Sequence, residues 1–268
     1  MGELSPARPE WEHYFNLENI PHTFAGQLVV YKNELQGAVK QNPRLRDKPD
    51  RGLYVLGGFF PARDNIDAFH ELTCVLDPKH GPERSYYVDM NPQPASVLTT
   101  DEQKRFRQAK LENIASYFPN ESVDLIVLDH IMQFLDEKAL EEALKNIAAI
   151  LSPDGVALMT MMNPIFTPLE RILRSREMKV PVYPRKQKLV ERALEGKVKL
   201  VDGSVYPIFL SAATGTIYTF ARNDSIYEPF DGRYAMYDLD WLRHQAIRES
   251  NATPLQQSDP EGAGPASS

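Results

Sequence analysis

Glycines and carboxylates stand at the ends of three apolar runs in this sequence. Gly57 and Gly58 follow LYVL, Asp89 follows SYYV, and Asp129 with His130 follows VDLIVL. If these runs are parallel strands, all five residues lie beyond their carboxyl ends, where open α/β sheets bind ligands. A carboxylate there can accept two hydrogen bonds from a ribose diol, and glycines allow close backbone approach. The pattern predicts a nucleotide cofactor site at this edge.

Short apolar runs and longer helical patterns alternate from residue 51 onward, which is the order needed to bring strand ends together. The strongest helical pattern is DEKALEEALKNIAAIL, and Pro153, Asp154 and Gly155 are expected to form the turn after it. Nearly continuous apolar strands such as DLIVL and GVALM indicate a sheet with helices on both faces. The apolar stripe of the helix is expected to consist of Leu140, Leu144, Ile147, Ala148 and Leu151.

The repeated β-α-β order predicts an α/β fold with a doubly wound, mostly parallel seven-stranded sheet and an antiparallel last strand. An N-terminal helical cap and a helical insertion are expected to flank the sheet. The predicted segments are an N-terminal helical extension (1–50), a cofactor-binding core (51–163), a basic helical insertion that serves as a lid (164–196), C-terminal strands and a helix that complete the core (197–250), and a disordered tail (251–268).

Composition limits the class of protein. The 268 residues carry a net charge of −7, which argues against a surface that follows nucleic acid or anionic membrane. The single cysteine, Cys74, excludes an internal disulfide and a cysteine-based zinc cage, and its apolar setting indicates a core residue. No metal site is expected. Because no apolar run is long enough to span a membrane and the first thirty residues lack the pattern of a signal peptide, we expect a cytoplasmic protein.

Positive charge is concentrated in one segment. Residues 164–199 contain ten Lys or Arg and four Glu, a balance of +6, so the remainder of the chain sums to −13. Such a segment is either a solvated helical face or a lid that binds an anion.

Residues 110–162 resemble the second half of the core of a class I S-adenosylmethionine-dependent methyltransferase. In that family an acidic residue and a small one precede a short loop, a strand that begins Phe-Asp, a helix that ends Leu-x-Pro-Gly-Gly, and a further strand. The matching positions here are Glu112-Asn113, Val123-Asp124, and the five residues 151–155.

The resemblance extends in both directions with departures from the family pattern. LYVLGG and YYVDMNP are similar to the family's first strand with its glycine loop and to its second strand, and residues 197–223 resemble its sixth and seventh strands. Phe59 stands where the second glycine is usual, and Leu56 stands where an acid is usual. The glycine loop is therefore degenerate.

The resemblance implies S-adenosylmethionine as the cofactor. It assigns the ribose hydroxyls to Asp89, the adenine amino group to Glu112 and the adenine ring to the backbone N–H of Asn113. Gly57 and Gly58 would pass beside the methionine part of the cofactor. The cofactor-binding residues predicted in this way are Gly57, Gly58, Phe59, Asp89, Met90, Glu112, Asn113 and Asp129, and the catalytic candidate is His130.

Each assignment has a structural alternative. Asp89 also suits a turn at a strand end, and Glu112 also suits a solvated surface. Asp129 and His130 are suitable residues for capping the helix that follows them. A Gly-Gly pair is common at the end of a strand.

We therefore expect an S-adenosylmethionine-dependent methyltransferase whose unidentified acceptor is a small molecule rather than a macromolecule, with an anionic acceptor favoured by the basic insertion. In this family, insertions between the fifth and sixth strands often form the acceptor lid. The residues considered for contact with the acceptor are His130, Tyr183, Tyr206 and Tyr218.

Other functions stay open beside this one. A non-catalytic binding or scaffolding protein would keep the fold and explain Phe59. Aminopropyl transfer would use Asp129 at the same strand end, although its acid-rich motifs are not visible. NAD-dependent oxidoreduction is disfavoured because no G-x-G-x-x-G follows the first strand. A homo-oligomer and a monomer are both compatible with the sequence.

Overall fold

The computed structural model describes the sheet and the helices that surround it. The described residues are 27–58, 62–129, 135, 137–163, 198–207, 214–229 and 235–236. The basic insertion predicted at 164–196 and the tail predicted at 251–268 lie outside these ranges, as do the first twenty-six residues of the N-terminal extension.

Strands and helices alternate through the described residues as the sequence pattern predicts. Of the described helices, none has the length and apolar character required to cross a membrane. The helices are α1 (Leu28–Gln41), α2 (Arg44–Asp47), α3 (Arg63–Thr73), α4 (Thr100–Gln103) and α5 (Glu137–Ile150), with short 3₁₀ helices η1 (Pro82–Arg84), η2 (Gln93–Val97) and η3 (Leu111–Ser116). The strands are β1 (Leu53–Gly57), β2 (Ser85–Asp89), β3 (Phe106–Gln108), β4 (Val123–Leu128), β5 (Leu151–Asn163), β6 (Val198–Pro207), β7 (Thr214–Arg222) and β8 (Ala235–Met236).

The strands form one sheet in the order β3-β2-β1-β4-β5-β7-β6-β8. β7 runs antiparallel to both of its neighbours, whereas the other pairings are parallel. The predicted seven-stranded sheet with an antiparallel last strand is confirmed, and β8 adds a two-residue strand beside β6. Strand order reverses between β1 and β4, so the crevice that binds ligands in such sheets opens beyond the carboxyl ends of these two strands.

Two apolar cores lie on opposite faces of the sheet. One contains α1 and α3, and includes Tyr31, Leu35 and Phe69. The other contains η3 and α5. α1 of the predicted N-terminal extension packs in one core with α3 and the strands. The residues that α5 buries are Leu140, Ala143, Leu144, Ile147 and Ile150.

The turn expected at Pro153, Asp154 and Gly155 is wrong. α5 ends at Ile150 and β5 begins at the next residue, so Leu151 belongs to the strand and not to the helical stripe. Leu151 pairs with Val123 and residue 156 pairs with residue 125, which makes residues 151–156 a bulge in β5. A Cβ on Gly155 would lie 2.6 Å from the Val123 carbonyl oxygen, so the close approach of the two backbones requires glycine.

The amino-terminal edge of the sheet is held by Asp124, which is 1% exposed. Its carboxylate accepts hydrogen bonds from the Gly52 N–H at 2.5 Å and the Ser152 hydroxyl at 2.6 Å, and it forms an ion pair with Lys48. The acid that follows Val123 therefore has a structural role at the edge opposite the predicted site. Satisfying a buried carboxylate with three donors avoids the cost of desolvating it alone.

Candidate functional site

The turn after β1 lies at the carboxyl edge, as the sequence predicts. Gly57 pairs with Val88 on one side and with Leu128 on the other. A Cβ on Gly57 would lie 2.7 Å from Cδ2 of Leu128, so no larger residue fits without moving a buried side chain. Gly58 has a φ of 66°, in the left-handed region that favours glycine, and its N–H donates to the Val88 carbonyl oxygen at 3.0 Å. Phe59 lies outside the described residues.

Asp89 ends β2 immediately beyond Val88 and is partly buried. Its Oδ1 accepts a hydrogen bond from the Asn91 N–H at 2.7 Å. Burial raises the pKa of Asp89 from 3.8 to about 6, against the opposing effect of the N–H donors of Asn91 and Met90. At neutral pH the group is a desolvated carboxylate, which is suited to strong hydrogen bonds with ligand hydroxyls. Met90 follows with 48% of its surface exposed, so its side chain is accessible to a ligand at this edge.

Glu112 and Asn113 form the start of η3. Glu112 is half-buried and Asn113 is exposed. The Asn113 N–H donates to the Lys110 carbonyl oxygen at 3.0 Å. The N–H that the sequence interpretation assigns to an adenine ring is therefore engaged inside the 3₁₀ turn, and a ligand would have to share or replace that bond.

Asp129 directly follows β4 and is 5% exposed. Its N–H donates to the Gly57 carbonyl oxygen at a long 3.4 Å. Its Oδ1 accepts a hydrogen bond from the hydroxyl of Tyr31 on α1 at 2.8 Å and lies 3.2 Å from the hydroxyl of Thr160 on β5. His130 lies outside the described residues.

Sequence reasoning missed Tyr31 and Thr160. A signal for both is present, because each is a polar residue inside an apolar pattern: Tyr31 stands beside Val30 in LVVY, and Thr160 interrupts VALMTMM. The pattern shows that these side chains are buried. It does not show that they meet.

Three acidic residues each follow a residue that surrounds the glycine turn. Val88, Leu111 and Leu128 surround Gly57, since each has an atom within 3.8 Å of the place where a Cβ would stand on this glycine. The residue that follows each of the three in the chain is acidic. The three acids are Asp89, Glu112 and Asp129.

A polar cluster connects the first helix after the glycine turn to the segment that follows β2. Arg63, at the start of α3, donates from Nη1 and Nη2 to the two carboxylate oxygens of Glu102 at 2.6 and 3.1 Å. Although burial opposes ionisation, hydrogen bonds from Arg63 and Thr99 keep the pKa of Glu102 below its usual value. His70 lies against this pair, with Nε2 2.6 Å from the Tyr87 hydroxyl, and burial lowers the pKa of His70. The cluster positions the elements on both sides of Asp89.

The remaining candidate residues are wholly or partly buried, or lie outside the described part of the chain. Tyr218 is buried in the core beneath α5, where its ring stacks on Phe220 at a centroid distance of 5.9 Å. The side chain of Tyr206 and the whole of Tyr183 lie outside the described part of the chain. Cys74 is half-buried after α3, and burial raises the pKa of its thiol, which fits the predicted packing role better than that of a nucleophile.

Comparison with known proteins bears on the same region. A family model described as Methyltransferase domain matches residues 70–159, about a third of the chain. The match runs from α3 to β5 and includes Asp89, Glu112 and Asp129. Residues 70–159 are therefore similar to a methyltransferase domain. The resemblance predicted from residues 110–162 is confirmed, and the strand order agrees with this fold.

Solved structures of methyltransferases are similar to this chain at low identity. A TehB-like S-adenosylmethionine-dependent methyltransferase from Corynebacterium glutamicum is 15% identical, with 80% of this chain and 95% of that chain covered and a TM-score of 0.43. The N-methyltransferase NodS from Bradyrhizobium japonicum is 13% identical, with coverages of 78% and 91% and a TM-score of 0.43. A putative sarcosine dimethylglycine methyltransferase from Galdieria sulphuraria is 11% identical, with coverages of 74% and 87% and a TM-score of 0.46. Among curated proteins, none matches the sequence.

Proposed function

We propose that the chain binds S-adenosylmethionine at the carboxyl edge of the sheet and transfers its methyl group to a small-molecule acceptor. The observation that supports this most directly is the position of three acidic residues, each next in the chain to a residue that surrounds Gly57, within or beside the segment that matches the methyltransferase-domain model. A site for a ligand with a cationic centre and two ribose hydroxyls needs acidic groups close to a backbone turn that lacks side chains.

The residues at this edge have separate roles in the proposal. The desolvated carboxylate of Asp89 accepts hydrogen bonds from the ribose hydroxyls, and the exposed Met90 packs on the adenine ring. Glu112 accepts from the adenine amino group, with Asn113 beside it. Gly57 and Gly58, together with Phe59, pass along the methionine part, and Asp129 provides negative charge near the sulfonium.

When bound, S-adenosylmethionine supplies an activated methyl group that a nucleophile attacks in line with the breaking carbon–sulfur bond. The chain's task is to hold donor and acceptor in line and to remove a proton where the acceptor carries one. His130 follows Asp129 and is the proposed proton acceptor. The net charge of +6 over residues 164–199 favours an anionic acceptor under a lid formed by 164–196.

The alternative is a non-catalytic binding or scaffolding protein with the same fold. Leu56 favours it, because this residue stands where the family usually has an acid and is fully buried in the apolar core beneath α1 and α3. The chain therefore lacks one carboxylate of the usual loop. Phe59 points to the same alternative by its bulk in the glycine loop.

Titration calorimetry distinguishes the methyltransferase from the non-catalytic binding or scaffolding protein. Purified protein is titrated with S-adenosylmethionine and with S-adenosylhomocysteine, and the measurement is repeated with Asp89→Ala. We expect submillimolar binding of both ligands and a loss of about tenfold or more in the variant, which is the effect of removing one charge-assisted contact. Asp47→Ala is the matched control, because this exposed acid lies on α2 and pairs with Arg46. Absence of binding at millimolar ligand would favour the scaffold.

A further inference from the structure

A layer of polar side chains lies between α1 and the sheet, in a core that is otherwise apolar. We call it the α1 polar layer. On α1 the polar residues are spaced by four and three positions, so they share one helical face. None of the members is more than 5% exposed. They are Gln27, Tyr31 and Glu34 from α1 and its N-cap, Asp129 after β4, Thr160 on β5, Ser204 on β6 and Thr219 on β7.

The members of the layer are hydrogen-bonded across elements that are distant in the chain. Glu34 accepts from the Ser204 hydroxyl at 2.5 Å and from the Thr219 hydroxyl at 3.3 Å. At the other end, Tyr31 donates to Asp129 across 98 residues, and the Tyr31 and Thr160 hydroxyls are 3.0 Å apart. The layer therefore spans from the cofactor edge at Asp129 to the far strands of the sheet.

The hydroxyl protons of Tyr31 and Thr160 can bond to the Asp129 carboxylate in more than one arrangement. Tyr31 has one hydroxyl proton, which bonds to Asp129, so its oxygen can accept the proton of Thr160. Thr160 can instead donate to Asp129 directly at 3.2 Å or to the Leu128 carbonyl oxygen at 3.4 Å. In each arrangement at least one hydroxyl donates to Oδ1, which restricts the rotation of the carboxylate.

Such a layer has a cost that apolar residues in the same place would avoid. Burial of polar groups is unfavourable even when they are bonded, and buried polar networks are often replaced by apolar side chains without loss of stability. A polar layer inside a core is therefore a place where a functional requirement is expected. Asp129 lies at the cofactor edge, because its N–H reaches the carbonyl oxygen of Gly57.

We propose that Tyr31 and Thr160 are positioning residues that hold the Asp129 carboxylate toward the cofactor sulfur, so that α1 sets the preference of the site for a cationic ligand over a neutral one. The inference rests on the proposed function, since it concerns the same site. A carboxylate near the sulfur favours a sulfonium by charge attraction and does not favour a neutral thioether, and the attraction is strong because Asp129 is buried. Neither hydroxyl touches the ligand in this arrangement.

Three ligands that differ in charge at one position test the proposal. They are S-adenosylmethionine with its sulfonium, sinefungin with an amine at the same position, and S-adenosylhomocysteine with a neutral sulfur. Their dissociation constants are measured by calorimetry for the full chain and for Asp129→Asn, Tyr31→Phe and Thr160→Val. We expect Asp129→Asn to reduce the preference for both cationic ligands by about tenfold or more, and the two hydroxyl variants to reduce it by about three- to tenfold.

The control is Tyr227→Phe. Tyr227 is as deeply buried as Tyr31, and its hydroxyl donates to the Asp154 carbonyl oxygen at 2.9 Å near the opposite edge of the sheet. This variant also loses a buried tyrosine hydroxyl and its hydrogen bond to a carbonyl oxygen, so it controls for the loss of a buried hydroxyl and should keep the ligand preference unchanged. Circular dichroism and thermal unfolding establish that each variant is folded, and Thr160→Val tests the proposal if Tyr31→Phe does not fold.

The outcomes separate the inference from the function on which it rests. If all three ligands weaken by the same factor in Asp129→Asn and Tyr31→Phe, the α1 polar layer has only a structural role and the inference is overturned while the cofactor site stands. If the unaltered chain binds none of the three ligands, the proposed function fails and the inference fails with it.

Discussion

The Gly58 N–H donates to the Val88 carbonyl oxygen at 3.0 Å, so the turn after β1 is tied to the residue that precedes Asp89. The left-handed turn and the acid at the end of the second strand are thus held at a constant separation by one backbone hydrogen bond. A ligand that contacts both does not have to bring them together, which lowers the entropic cost of binding.

Replacement of Asp89 by Asn is expected to raise stability and weaken cofactor binding. The pKa of Asp89 is about 6 in the folded chain against an ordinary value of 3.8, so ionisation above pH 6 opposes folding, and this penalty is absent below pH 4. Asp89→Asn removes the penalty, and we expect the free energy of unfolding to rise by about 1–2 kcal/mol at pH 7.5 and to be unchanged near pH 4. Urea unfolding at pH 7.5 and at pH 4 measures the free energy of unfolding of the variant and of the unaltered chain. Lower stability of the variant at pH 7.5 would show that the carboxylate has a stabilising partner.

Affinity for S-adenosylhomocysteine is expected to fall as the pH decreases through 6. The ribose contact requires the ionised carboxylate of Asp89, and protonation with a pKa of about 6 removes it. Calorimetry between pH 5 and 8 should show a dissociation constant that is constant above pH 7 and rises about tenfold per pH unit well below 6. The same titration with Asp89→Asn should show no such rise. If the dissociation constant of Asp89→Asn still rises as the pH falls, the pH dependence belongs to a titratable group other than Asp89.

Alanine is expected to have opposite effects at two glycines. Gly58→Ala forces an L side chain into the left-handed region and should cost about 1–2 kcal/mol. Gly37→Ala lies inside α1, where the new Cβ would be in ordinary contact with Asp202 at 3.8 Å, and it should gain about 0.5–1 kcal/mol. Thermal unfolding measures the change in stability of each variant relative to the unaltered chain. An equal effect of the two substitutions would mean that the turn adopts another conformation in solution.

Loss of Asp124 is expected to destabilise the chain without changing the ligand site. Asp124→Ala leaves the Gly52 N–H and the Lys48 ammonium without their buried acceptor, and we expect a loss of about 3 kcal/mol or more. Asp124→Asn keeps an acceptor for one donor and should cost less. Denaturant unfolding gives both values, and calorimetry with S-adenosylhomocysteine at low temperature should give an unchanged dissociation constant. A large change in that constant would place Asp124 in the cofactor site, against its position at the amino edge.

Much of the fold follows from local patterns. The apolar runs that became β1, β2, β4 and β5 are short and nearly continuous, and the stripe of α5 repeats with the period of a helix, so both kinds of element were recognisable from the spacing of apolar residues. The turn expected after α5 was wrong because Pro and Gly near a strand indicate either a turn or a bulge. Only the pairing of Leu151 with Val123 decides between them.

The candidate site was predictable in its acids and not in its surroundings. Asp89 and Asp129 each stand after an apolar run, a feature visible in the chain, whereas Glu112 was assigned by the family resemblance. That the residues before Asp89 and Asp129 pair with Gly57 depends on strand order and register, which join Gly57 to Val88 and to Leu128.

The sequence by itself determined that this chain forms an α/β sheet with acids at strand ends, because apolar periodicity and strand-end residue types are local properties. Only the tertiary structure decided that Tyr31 reaches Asp129, that Asp124 serves the opposite edge, and that burial raises the pKa of Asp89. The physical reason is that hydrogen-bond partners and desolvation are set by contacts between distant segments, and these contacts exist only once the strands have paired and the helices have covered them.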